Sequence, residues 1–123
     1  YYTHRDVESM LNAGTIEVSP LAYMRGRTFK RCFIIADEMQ NSSPNQMLML
    51  TTRLGEGSKM AITGDLKQSD RCTNNGLLNL LQKINKYNGT MDEIKTVHFN
   101  EHDVQRSQIV SKILDVYGTD NEL

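Results

Sequence analysis

Apolar residues fall along this chain in two rhythms: short unbroken runs, and stripes spaced three and four apart. Val7, Met10 and Leu11 sit at i, i+3, i+4, the spacing of one helix face, and Gly14 follows as a stop. Residues 15–18 form a brief β-branched stretch that Ser19-Pro20 breaks. Residues 21–28 are ambiguous, one helical turn leading into the loop Arg25-Gly26-Arg27-Thr28. Residues 32–36 then make an apolar run of strand length. Ser43, Pro44 and Gln46 occupy the N-cap, N1 and N3 positions of a capping box. Met47, Leu50, Thr51 and Leu54 continue that helix at i, i+3, i+4, i+7, and Gly55 and Gly57 end it. Residues 59–63 are a second buried strand. Leu77, Leu80, Leu81 and Ile84 are another helical stripe, closed by the turn pair Asn88-Gly89. Residues 94–99 read as a third strand. Asp103 is placed to cap a last helix with stripe Val110, Ile113, Leu114 and Tyr117, and Gly118 stops it.

Strands alternating with helices predict an α/β fold: a mostly parallel sheet covered by helices, in three α/β/α layers. Right-handed crossovers bring all strand carboxyl ends to one edge, where open parallel sheets hold their ligands. Two of the runs end there abruptly in acids and amides, as Phe33-Ile34-Ile35-Ala36-Asp37-Glu38-Met39-Gln40 and Met60-Ala61-Ile62-Thr63-Gly64-Asp65-Leu66-Lys67-Gln68. Asp37, Glu38, Asp65 and Gln68 are therefore expected to converge. Oxygen ligands suit magnesium, which keeps several of its waters. An Asp directly after a buried strand can hold such a hydrated ion, Glu38 could orient an attacking water, and Gln68 could sense a γ-phosphate. Acids after strands also cap the following helix, so this assignment rests on finding two such strings with a capped helix between them.

At 123 residues the chain is one domain or part of one, and a start at Tyr1 suits a fragment or a processed chain. A net charge of −1 gives no bulk affinity for nucleic acid. Any such binding needs a local patch, and Arg25, Arg27, Lys30 and Arg31 supply the candidate, with Tyr23 and Phe29 available to stack on bases. Cys32 and Cys72 form no CxxC pattern and are expected as free thiols in a reducing, cytoplasmic setting. No apolar stretch approaches the roughly 20 residues that span a bilayer, and no signal peptide is visible. His98 and His102 are four apart, but His98 falls in the expected strand, which defeats helical metal spacing. Several of the seven methionines, Met39, Met47 and Met49 among them, suit core filling.

These residues resemble the carboxyl-terminal part of the PhoH-like ATPases, relatives of superfamily-one helicases. The likeness runs through Ile16-Glu17-Val18-Ser19-Pro20-Leu21-Ala22-Tyr23-Met24-Arg25-Gly26-Arg27-Thr28, Asp37-Glu38-Met39-Gln40-Asn41 and Leu50-Thr51-Thr52-Arg53-Leu54-Gly55. It continues in Thr63-Gly64-Asp65-Leu66-Lys67-Gln68-Ser69-Asp70, Asn75-Gly76-Leu77 and Asp103-Val104-Gln105-Arg106-Ser107. The resemblance implies a partial RecA-like P-loop NTPase core over residues 1–118, a flexible tail over 119–123, and ATP and Mg2+ as ligands. It implies Asp37 as the Walker B carboxylate on magnesium through water, Glu38 as catalytic base, and Gln68 as polar sensor. Asp65 and Gln40 would face the nucleotide. Arg53, or Arg106, would supply the arginine that reaches a neighbouring subunit's γ-phosphate in a ring, an effect of about 10³–10⁵ in rate. RNA or another partner would receive the work. The family name carries an association with phosphate starvation that no residue here displays.

One departure is large. The phosphate loop G-x-x-x-x-G-K-[ST] occurs nowhere in the chain, and Gly55-Glu56-Gly57-Ser58-Lys59 has the wrong spacing and precedes a strand. In the family that loop lies upstream of everything quoted above. Without its donors and lysine, these 123 residues alone are expected to bind nucleotide weakly and to hydrolyse it negligibly. Two other readings stay open: a magnesium-dependent nuclease or phosphatase using Asp37, Glu38, Asp65 and Asp70, and a non-enzymatic binding module.

Overall fold

A computed structural model describes residues 1–69, 74–100 and 105–118. The elements in chain order are α1 (His4–Asn12), β1 (Phe33–Ala36), α2 (Pro44–Thr51), β2 (Lys59–Ile62), α3 (Gly76–Lys86) and α4 (Gln108–Tyr117). Single 3₁₀ turns at Leu21–Met24, Met39–Asn41 and Leu66–Gln68 join them. The class is α/β: β1 and β2 pair in parallel, in register from Phe33↔Lys59 to Ala36↔Ile62, and helices flank them. A further parallel bridge joins Phe29 to Leu54 ahead of the two strands.

The local chemistry explains the boundaries. Ser43 Oγ accepts from Gln46 N while Gln46 Oε1 accepts from Ser43 N, the reciprocal box read from the sequence. Thr3 and Asp6 make a second such box on α1. Gly118 ends α4 in the left-handed region at φ 69°, where glycine is least strained. The expected cap Asp103 lies outside the described residues, and Ser107 caps α4 instead.

The core is small. Met24, Ala36, Met39, Met47, Leu50 and Leu77 are buried, with Leu21, Phe29, Met49, Met60, Ile62 and Leu80 packed against them. Methionine supplies half of the buried set because its unbranched chain fills irregular gaps between a short sheet and two helices. Gly76 draws α3 onto the start of α2: its N–H donates to Ser42 O at 2.7 Å, and a Cβ there would lie 2.3 Å from Ser43 O.

Three expectations need correcting. The run over 32–36 suggested a strand buried on both faces, yet Phe33 and Ile35 are 65% and 68% exposed. Alternate side chains point to opposite faces, and α2 and α3 cover only the Ile34/Ala36 face among the described residues. The third strand over 94–99 does not form; the segment is irregular, with Val97 and Phe99 exposed and no ladder partner among the described residues. The β-branched stretch over residues 15–18 is irregular as well. β-Branched composition favours extended backbone, but a strand exists only where an edge accepts its hydrogen bonds. The apolar stripe of α1 buries nothing, and that of α4 buries only Leu114.

Candidate nucleotide and magnesium site

Register decides where the two acidic strings meet. Ala36 and Ile62 are paired, so both strands release their chains at the same edge. The ladder runs one step further, with Thr63 N donating to Ala36 O at 2.9 Å and Met39 N donating to Thr63 O at 2.9 Å. This puts Thr63 directly beside Asp37. Its hydroxyl donates to Asp37 Oδ1 at 2.5 Å and accepts from Glu38 N at 3.3 Å, acting as donor and acceptor at once. Asp37 Oδ2 has no partner among the described residues.

Glu38 stands in the left-handed region, at φ 56° and ψ 49°. That conformation is uncommon for a side chain of this size and holds only where the surroundings over-determine it. Thr63 fixes its backbone. Gln40 fixes its carboxylate, Nε2 donating to Glu38 Oε2 at 2.7 Å. The other end of the Gln40 amide, Oε1, accepts from Asp65 N at 3.2 Å. Gln40 is only 5% exposed. Gly64 makes room for it, since a Cβ at that position would lie 2.6 Å from Leu77 Cδ2 and 3.1 Å from Gln40 Oε1. Asp65 in turn caps the Leu66–Gln68 turn, its Oδ1 accepting from Lys67 N at 2.9 Å. Ser69 Oγ donates to Gln40 O, and Asn75 Nδ2 donates to Ser69 Oγ while Asn75 caps α3. The acidic edge is thus pinned to the start of α3.

Asp37 and Glu38 are joined through Thr63, and Gln40 ties the Glu38 carboxylate to the backbone N–H of Asp65, whose own carboxylate caps the following turn. Gln68 lies on the same loop, its N–H on Asp65 O at 3.1 Å and its exposed side chain without a hydrogen bond among the described residues. Gln40 is bonded to the protein at both ends of its amide, to the Glu38 carboxylate and the Asp65 N–H. Arg53 sits at the opposite edge. It follows α2, which returns antiparallel to the strands, and its carbonyl accepts from Phe29 N ahead of β1. Its Nη2 donates to Thr52 Oγ1, and its Nε is enclosed without a partner among the described residues. Arg106 is exposed just before α4, without hydrogen bond or ion pair among the described residues. No group of three or more His, Cys, Asp or Glu residues that could hold a metal gathers among the described residues. Asp70, the fourth carboxylate of the nuclease reading, falls outside them, as do His102, Cys72 and the tail over 119–123. Cys32 is a free thiol. Sequence reasoning overlooked Thr63 as a site residue. Its signal was a hydroxyl side chain one step past a strand expected to lie beside the Asp37 strand.

Arg25 and Arg27 part ways. Arg25 is exposed at the end of the Leu21–Met24 turn. Arg27 is engaged: Nη1 and Nη2 donate to Glu17 Oε1 and Oε2 at 2.7 and 3.0 Å, and its guanidinium lies 4.5 Å over the Phe29 ring. That forked hydrogen bonding holds the Glu17 carboxyl below the usual carboxylate range, opposed by slight desolvation and reinforced by the Arg27 charge. A carboxylate whose folded pKa is depressed stabilises the fold above its ordinary pKa and loses that contribution as pH falls through the folded value. Arg27→Gln should return the Glu17 titration, followed by NMR, to the ordinary carboxylate range. An unchanged midpoint would show that the pair does not persist in solution.

A shallow hollow of about 180 Å³ opens beside Asp37, lined mainly by Leu21, Met24, Ile34, Ile35, Met39 and Leu50. Pockets for ligands of nucleotide size run to roughly 300–1,000 Å³. The hollow is smaller than that range.

The family model described as PhoH-like protein matches residues 1–118. The chain belongs to the PhoH-like family. It is 42% identical over 114 residues to the PhoH-like protein of Bacillus subtilis (strain 168), covering 93% of this chain and 35% of that protein. It is 41% identical over 117 residues to the PhoH-like protein of Mycobacterium tuberculosis (strain ATCC 25618 / H37Rv), covering 91% of this chain and 31% of that one. It is 38% identical over 108 residues to Protein PhoH of Escherichia coli (strain K12), covering 85% and 29%. The chain thus spans about a third of the length of the curated relatives it matches. The PhoH-like proteins are P-loop NTPases, a class that generally uses nucleotide and Mg2+. No helix among the described residues is long and apolar enough to cross a membrane.

Proposed function

We propose that this segment forms the acidic half of a magnesium–ATP site in a PhoH-like ATPase, working with a phosphate-binding loop. The observation that carries this reading is the Thr63 hydroxyl, which joins Asp37 to the Glu38 backbone where two paired parallel strands end. Among the described residues Asp37 keeps one carboxylate oxygen without a partner and offers the hard oxygen donor that a hydrated magnesium prefers. Bound there, the ion would neutralise charge on the phosphates. Glu38, oriented by Gln40, takes the proton of the attacking water. Gln68 answers to the γ-phosphate from the adjoining loop. Arg53, at the far edge of the sheet, suits a neighbouring subunit's site in a homo-oligomeric ring better than its own. Arg106 is the second candidate for that role. The energy of hydrolysis is delivered to RNA or another partner in the cytoplasm, and exposed Tyr23 and Arg25 favour a single-stranded polyanion with unstacked bases.

The test is equilibrium binding of Mg·ATP to these 123 residues. Affinity no tighter than about 1 mM, or about 4 kcal/mol, is expected without the phosphate loop. What binding there is should depend on magnesium and lose that dependence in Asp37→Asn. Binding indifferent to Asp37→Asn would sink the site. Measurable turnover by this chain alone, abolished in Glu38→Gln, would overturn the need for the loop.

A further inference from the structure

We infer that Gln40 is a positioning residue for the Glu38 carboxylate, holding it at a fixed distance from the Gly64–Asp65 backbone. The inference rests on the proposal that Glu38 is the catalytic base. It adds a residue that acts on the reaction without touching nucleotide.

Three observations support it. Gln40 is buried although it sits in a one-turn connection at an exposed edge, and a buried amide must be satisfied at both ends. It is so satisfied, and by two different strings of the sequence: Nε2 donates to Glu38 Oε2, and Oε1 accepts from Asp65 N. The surroundings also fit closely around it, because a Cβ on Gly64 would lie 2.6 Å from Leu77 Cδ2 and crowd Gln40 N and Oε1 at 3.1 Å. Glutamine is the side chain that meets both demands. Glu would set a second carboxylate against Glu38 and remove the donor. Asn is one methylene short of spanning the two partners. Met fills the volume and bonds neither.

Glu38 needs such a support. Its backbone is already in the left-handed region, and its side chain is exposed, so nothing else among the described residues restrains the carboxylate. A base left free to rotate spends most of its time out of reach of the water it must deprotonate, and misplacement by about 1 Å can cost about 100-fold.

The experiment has two arms. In a PhoH-like chain that joins this segment to a phosphate-binding loop, Gln40→Met should lower kcat about 10- to 100-fold and leave KM for Mg·ATP within about twofold. In a Glu38→Gln background the same change should cost no more than about twofold, because residues acting as a unit are not additive. A loss of equal size in both backgrounds, or a rise in KM alone, overturns the positioning role. The second arm reads the contact itself in the 123-residue chain by NMR. The Gln40 side-chain amide protons should exchange slowly in the native chain and in Glu38→Gln, which keeps an acceptor. They should exchange at least about 10-fold faster in Glu38→Ala, a change at an exposed residue that leaves the core intact. Equal exchange in all three overturns the inference, even if Gln40→Met fails to fold. Should the amide arm hold while Glu38→Gln leaves turnover intact, the base assignment fails and the strut stands as structure alone.

Discussion

Glu38→Gln should reduce ATP turnover by about 10²–10⁴, the range that general acid–base groups contribute, in a PhoH-like chain that also carries a phosphate-binding loop. Fold and magnesium–nucleotide affinity should survive. The reason lies in the contacts. Glu38 meets the protein at its backbone N–H, held by Thr63, and at Oε2, held by Gln40. A glutamine there keeps the backbone bond and presents a carbonyl oxygen to the Gln40 amide, so the edge keeps its geometry and loses only the basic oxygen. Asp37→Asn makes the complementary lesion, weakening magnesium-dependent binding before chemistry begins. Steady-state kinetics of the two variants separate the roles: kcat falls with KM kept for Glu38→Gln, and apparent Mg2+ affinity falls for Asp37→Asn. Full activity in Glu38→Gln would remove Glu38 from the mechanism.

Leu50→Ala should destabilise the chain by about 2–5 kcal/mol, the range for emptying a buried leucine site. Leu50 is 1% exposed and the most enclosed large side chain among the described residues. It packs within a core of six buried residues, three of them methionines, so few neighbours can close over the gap. Domains of ordinary size have only about 5–15 kcal/mol in total, and a core this small sits at the lower end, so the variant is expected to lose cooperative unfolding in urea. Leu48 provides the control. It lies on the same helix two residues away but is 62% exposed, and Leu48→Ala should change stability by less than about 0.5 kcal/mol. A Leu50→Ala cost below about 1 kcal/mol would mean that the core around Leu50 does not organise the fold.

Phe33 and Ile35 present an apolar surface leading up to Asp37, and Ile35 also lines the hollow beside Asp37.

Much of this was legible in the amino-acid order, wherever the signal is local. The capping box of Ser43 and Gln46, the stop at Gly118, the stripes of α2 and α3 and the two apolar runs depend on residues within a turn or two of one another. Short-range chemistry sets such features before any tertiary contact exists. The acidic tips were legible too, since any parallel β–α–β unit brings successive strand ends to one edge. Tertiary structure alone decided the rest. Period and composition marked residues 94–99 as a strand as clearly as residues 32–36, but only the latter lie along a neighbour able to complete their hydrogen bonds. The sequence shows that Phe33 and Ile35 alternate with Ile34 and Ala36; only packing shows that a single face is covered. Gln40 could be read as a polar side chain near a nucleotide, whereas its burial and its two partners, Glu38 and Asp65, come from contacts 2 and 25 residues away in sequence. Arg27 looked like a free cation until Glu17, 10 residues earlier, proved to occupy it. Pairings of that kind depend on where the chain returns in space, which local periodicity does not encode.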